Sequence, residues 1–125
     1  MLVDSSYWIA YLRGDALAIH LRDLIESGAD IRVTEPVIME VLAGARHASD
    51  YAALHRFMVN QALTPFDAAS DFEGAARVYL TARTHGITPG GQVDCMIVAV
   101  AARTGLPLVT LDSQQRQIAD LVDVS

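Results

Sequence analysis

The chain has 125 residues, a net charge of −6 and just over half hydrophobic residues, enough to build one α/β core without staples. Its nine basic residues are all Arg, and an acidic chain makes a poor nucleic-acid binder held by phosphate contacts alone, though a metal-dependent nuclease is not excluded. The lone Cys95 excludes an internal disulfide framework, Met1 leads into an apolar pair without a basic signal-peptide start, and no apolar run is long enough to span a membrane, so a cytoplasmic protein is expected.

In chain order, Leu2-Val3 reads as a buried strand ending at Asp4, and Ser5-Ser6 as a polar turn. Tyr7–Leu12 follows as a short helix stopped by Gly14. Leu17–Ser27 reads as a second helix, with Ile19/Asp23 and Arg22/Glu26 at helical spacing and Gly28 as its stop. Asp30–Val33 alternates like a strand. Thr34 then caps a helix over Val37–Arg46, with Pro36 suited to the first turn. A helix over Asp50–Ala62 precedes a weak strand at Leu63–Phe66. Asp67–His85 reads as a long helix, acidic at its start (Asp67, Asp71, Glu73) and basic near its end (Arg77, Arg83). Beyond the loop Gly86–Gly91, Gln92–Thr104 is apolar nearly all round and therefore central. Leu106–Leu111 is a strand, Asp112 follows it, Ser113–Asp120 is a last helix, and Leu121–Val124 is a candidate edge strand. Strands alternating with helices, without repeat or linker, predict one α/β domain over residues 1–125 built on a parallel sheet with helices on both faces.

Ligands of an open parallel sheet bind beyond the carboxyl ends of its strands. Asp4 and Asp112 each follow a short apolar strand there, although either could simply cap the next helix. Asp94 opens the buried helix, where the positive helix end alone would favour it. Glu40 is harder to explain without a ligand. It lies mid-helix among apolar residues, and its neighbours at helical spacing, Pro36, Val37, Ala43 and Gly44, offer no cation. Together the four acids suggest a hard-cation site, because Mg²⁺ or Mn²⁺ prefers carboxylate oxygens and keeps several waters, as phosphodiester hydrolysis needs. Left unfilled, such a cluster repels itself and some pKa values rise.

Four segments in order carry a family resemblance: Leu2–Leu12, with its acid, two Ser and Trp8; Thr34–Gly44; Asp94–Ala101; and Val109-Thr110-Leu111-Asp112. Together they resemble the PIN-domain ribonucleases of the VapC toxin type. The resemblance covers essentially the whole chain. It implies a PIN-like α/β fold with about five parallel strands, Mg²⁺- or Mn²⁺-dependent cleavage of RNA, a homodimer, and inhibition by a cognate antitoxin protein. It assigns Asp4, Glu40, Asp94 and Asp112 to the acidic site, with Asp4 and Asp94 as direct metal ligands and Glu40 ordering or activating water. Asp112 would complete a second-metal side, and Ser6 would orient Asp4. Two positions depart from the pattern: Gly90-Gly91 stand where many relatives carry Arg-Ser, and Gln114 where many carry a further acid. The alternative reading is accordingly a catalytically weakened PIN domain acting as an RNA- or protein-binding module.

The other reactive residues read as structural. Cys95 is expected to be a small buried residue, and His20, His47, His55 and His85 lack metal-ligand spacing. Trp8 and Tyr11 are spaced for helix packing rather than base stacking. Arg13 and Arg46 follow the helices of the first two acids and could face RNA or an antitoxin carboxylate, or be solvated helix ends. A phospho-receiver domain gathers acids similarly but by resemblance requires a Lys, which this chain lacks.

Overall fold

The structure, a computed structural model, describes residues 1–125. Its elements run β1 (Leu2–Val3), α1 (Ser5–Leu12), a 3-10 turn at Ala16–Ala18, α2 (Ile19–Glu26), β2 (Arg32–Val33) and α3 (Glu35–Ala43). They continue through α4 (Ala48–Val59), β3 (Ala62–Leu63), α5 (Ala68–Thr84), α6 (Gln92–Thr104), β4 (Leu108–Val109) and α7 (Ser113–Leu121). The strands lie in the order β3-β2-β1-β4, all parallel, with Leu2 opposite both Arg32 and Leu108. The chain steps in one direction from β1 to β3, then crosses back over the sheet to β4. Right-handed crossovers therefore set α1–α4 on one face and α5–α6 on the other.

The core joins both layers. Leu2, Val3 and Val33 from the strands pack with Trp8, Val37 and Val41 on one side and with Ile97, Val98 and Val100 of α6 on the other. Trp8 is fully buried, with Tyr11 and Phe57 edge-on to it at ring separations of 6.3 and 5.9 Å, so the packing reading of Trp8 holds. Helix α5 lies close against α6 at Gly74, where a Cβ would come within 3.3 Å of the Ala99 Cβ.

Several expectations need correction. The sheet has four strands, not five. Leu121 ends α7, Asp123 turns left-handed (φ 59°), and the tail gives β4 a single bond, Leu108 N–H to Val124 O at 2.6 Å. That turn prevents Leu121–Val124 from running extended beside β4. The third strand is Ala62–Leu63 rather than Leu63–Phe66: Thr64 N–H still reaches Val33 O at 2.8 Å, but Pro65 has no N–H to continue the ladder. Thr34 occupies the cap position of α3, yet its buried hydroxyl makes no hydrogen bond. Asp71 does more than complement the helix dipole. It is buried and forms a two-pronged pair with Arg103 at 2.8 and 2.9 Å.

Candidate metal centre

Asp4 leaves the end of β1 and caps α1, Glu40 sits in the middle of α3, and Asp94 lies in the first turn of α6. Contact between α3 and α6 brings the latter two together beside Asp4. One carboxylate oxygen from each of the three lies within 4.8 Å of the others. Ser5 bridges two of them: its Oγ donates to Glu40 Oε1 at 2.9 Å and lies 3.4 Å from Asp4 Oδ1.

Asp4 is 3% exposed and held by a dense set of donors. Ser6 Oγ donates to its Oδ2 at 2.8 Å, and Thr110 Oγ1 donates to the same oxygen at 2.9 Å. Those hydroxyls are fixed in turn by the backbone N–H groups of Leu111 and Asp112, which donate to Ser6 Oγ and Thr110 Oγ1 at 3.0 Å each. Gln115, also buried, turns its amide toward the same carboxylate. With Nε2 facing Asp4 it donates to Oδ2 at 2.7 Å, to Oδ1 at 3.2 Å and to Thr110 Oγ1 at 3.1 Å; the opposite orientation would set Oε1 against the carboxylate. Ser6, the hydroxyl singled out by the resemblance, thus lies against Asp4. Ser5, Thr110 and Gln115 are additional polar residues of the site, and the helical spacing of Gln115 with buried Ile118 and Ala119 was the available signal for the last.

No cation compensates the cluster. The ion pairs of the molecule are Arg32–Asp30 and Arg103–Asp71, and neither includes a site residue. Burial pushes the Asp94 carboxyl up to about 6, and the charges of Asp4, Glu40 and Asp112 add to the rise. Burial also raises Glu40, against the lowering effect of the Ser5 hydrogen bond, while the Asp4 charge raises it further. Three oxygen donors on separate elements, with unneutralised charge, fit a hard divalent cation. Asp112 stands apart from this trio. It is exposed, and its Oδ1 caps α7 through the N–H groups of Gln114 and Gln115 at 2.9 and 3.1 Å, though its charge still reaches Asp94.

The two atypical positions contact each other. Gln114 Oε1 accepts from Gly90 N–H at 3.0 Å, and its Nε2 donates to Thr88 O at 3.1 Å, tying α7 to the loop that enters α6. Cys95 is buried, and burial together with the Asp94 charge pushes its thiol up to about 11, which leaves it unreactive as a nucleophile. His85 bonds Thr81 O, while His20 and His55 rest against Tyr7 and Tyr51. Arg13 and Arg46 share a groove of about 440 Å³ with Ile9, Leu12, Val41 and Leu54.

The PIN domain family profile matches residues 1–121. The chain belongs to the PIN-domain family. It is 35% identical to Ribonuclease VapC11 of Mycobacterium tuberculosis over 99% of this chain and 95% of that protein. In fold it resembles the DNA-bound VapBC of Salmonella typhimurium, with a TM-score of 0.73, 19% identity and coverage of 93% of this chain and 89% of that one. The sarcin–ricin loop cleaving toxin VapC20 of M. tuberculosis gives a TM-score of 0.70 at 18% identity, covering 93% and 92% of the two chains. The four-stranded parallel sheet is therefore a PIN fold, and no helix is long and apolar enough to cross a membrane.

Proposed function

We propose that this PIN domain is the ribonuclease toxin of a toxin–antitoxin pair, hydrolysing RNA phosphodiesters with Mg²⁺ or Mn²⁺ at the Asp4–Glu40–Asp94 cluster. The observation that carries this reading is three carboxylates drawn within 4.8 Å with no basic side chain between them, in a chain similar along its length to named VapC ribonucleases. Asp4 and Asp94 would hold the metal. Bound there, a divalent cation supplies a more acidic water and charge neutralisation at the phosphate.

The side chains divide the remaining work. Asp4 is locked by Ser6, Thr110 and Gln115 and offers a fixed oxygen. Glu40, half-buried and reluctant to ionise, is placed to order a water and take its proton, with Ser5 setting its rotamer. Asp112 makes no hydrogen bond through Oδ2, so that oxygen is available for the second-metal side.

The antitoxin belongs to the same proposal. The acidic centre suits an Arg-bearing tail, and the apolar groove with Arg13 and Arg46 suits a segment carrying leucines and a carboxylate. A homodimer would cover the exposed Met39 and Tyr51 beside α3 and α4. The test is cleavage of single-stranded RNA by chelator-stripped protein, with Mg²⁺ or Mn²⁺ added back. Activity is expected only after metal addition. Full activity in chelator would overturn the metal reading, and RNA binding without cleavage in either metal would favour the binding-module alternative.

A further inference from the structure

We infer that Gln115 is a positioning residue of the metal centre: its buried amide, donating to Asp4, fixes which oxygen of that carboxylate is left for the cation. The inference rests on the metal reading of the cluster and extends it to a residue outside the four acids.

Gln115 is 1% exposed on the inward stripe of α7, beside Ile118 and Ala119. A buried amide costs stability unless its donors and acceptor are satisfied. Here the donors are spent on Asp4 Oδ2 at 2.7 Å, Asp4 Oδ1 at 3.2 Å and Thr110 Oγ1 at 3.1 Å. One arrangement of protons satisfies every member. Thr110 Oγ1 gives its proton to Asp4 Oδ2 and accepts from Gln115 Nε2 and Asp112 N–H, so each member has a defined role. Asp4 Oδ2 thus receives three short bonds, from Ser6, Thr110 and Gln115, and has no capacity left for a cation. Oδ1 keeps only contacts of 3.2 and 3.4 Å, the latter to the Ser5 hydroxyl that also bonds Glu40. Oδ1 is therefore the oxygen presented on the Glu40 side.

A neutral donor is suited to this task. An Arg or Lys in its place would neutralise Asp4 and compete with the cation. The amide orients the carboxylate and leaves its charge intact. Partners that orient a ligand typically contribute on the order of 10–100-fold to metal affinity.

The experiment compares wild type with Gln115→Met, which keeps an unbranched chain of similar length and removes the donor. Mn²⁺ affinity is measured by calorimetry, folding of the metal-free protein by thermal melt, and kcat and KM on an RNA substrate. A positioning role predicts a folded variant whose Mn²⁺ affinity falls on the order of 10–100-fold and whose kcat falls while KM for RNA holds. Unchanged Mn²⁺ affinity in a folded variant would overturn it, since mere core filling would leave the metal untouched.

Should Gln115→Met not fold, Mg²⁺ titration of ¹⁵N-labelled wild type decides. The Gln115 side-chain NH₂ signals should shift with the Asp4 and Asp94 backbone signals, while those of Gln61 and Gln117 stay still. Shifts at Asp4 and Asp94 without one at Gln115 would refute the positioning role alone. No shift at any of them would refute the metal reading, and the inference with it.

Discussion

Asp94→Asn separates the metal reading from a purely structural one. The Asp94 carboxylate takes no hydrogen bond, so the substitution keeps the shape and removes a charge disfavoured by burial and by the charges of Asp4, Glu40 and Asp112. The pKa of its carboxyl is raised from 3.8 to about 6, which corresponds to about 3 kcal/mol if nothing is screened. The side chain is partly open to water, so roughly half of that, about 1.5 kcal/mol, is the expected gain of the metal-free mutant at neutral pH. For a domain of this size that is roughly 5 °C in Tm.

The sign follows from linkage. A carboxyl raised in the folded state binds more protons there than in the unfolded chain between 3.8 and about 6. Metal-free wild type should therefore lose stability as pH rises through that window and stay at the lower level above it, whereas the mutant lacks this component. With Mg²⁺ at ten times its Kd, wild type should recover about 1.4 kcal/mol and the mutant much less. The assay is a set of thermal melts in chelator and in a Mg²⁺ series from pH 4 to 8, beside RNA cleavage. Equal Mg²⁺ responses with cleavage retained in the mutant would refute the reasoning and remove Asp94 from the site.

Three further expectations follow from other contacts. Arg103→Met leaves the buried Asp71 carboxylate without its cation, which should cost roughly 2–3 kcal/mol in urea denaturation while leaving Mn²⁺ affinity unchanged, because that pair lies away from the acidic cluster. Ser5→Ala removes the hydrogen bond that lowers Glu40, so an NMR titration of the metal-free protein should find Glu40 titrating at higher pH than in wild type; a downward shift would contradict the assignment. Gln114→Ala frees the loop before α6, and hydrogen exchange at the Gly90 N–H should accelerate on the order of 10-fold, consistent with a bond worth about 1 kcal/mol; unchanged exchange would show that other contacts hold the loop.

The alternation of apolar runs with amphipathic helices made the α/β class legible, and the all-round apolar Gln92–Thr104 segment identified the central helix. Glu40 was legible for a physical reason, since an uncompensated carboxylate amid Val and Ile requires a partner. What the sequence concealed was register and side-chain direction. Nothing local distinguishes Leu121–Val124 as a tail from the same residues as a strand; the left-handed turn at Asp123 decides it. Thr34 and Asp112 both stand where caps belong, yet only Asp112 caps with its side chain. Gln115 was overlooked because a polar run, Ser113–Gln117, suggests solvent, although its spacing from Ile118 and Ala119 turns it inward.

The pairing of β1 with β4 has a consequence for when the enzyme comes into being. The hydrogen bond from Thr110 to Asp4 spans 106 positions, and the Leu111 bond to Ser6 spans 105. One donor to Asp4, Ser6, is local, but Thr110 and Gln115 come from a segment far along the chain. Contacts this distant in sequence form late, after the loop-closure entropy has been met. A chain lacking β4 and α7 would carry Asp4, Glu40 and Asp94 but not the Thr110 and Gln115 groups that help hold the first of them. For a protein whose proposed substrate is RNA, docking of β4 and α7 on β1 and completion of the acidic site are thus a single event.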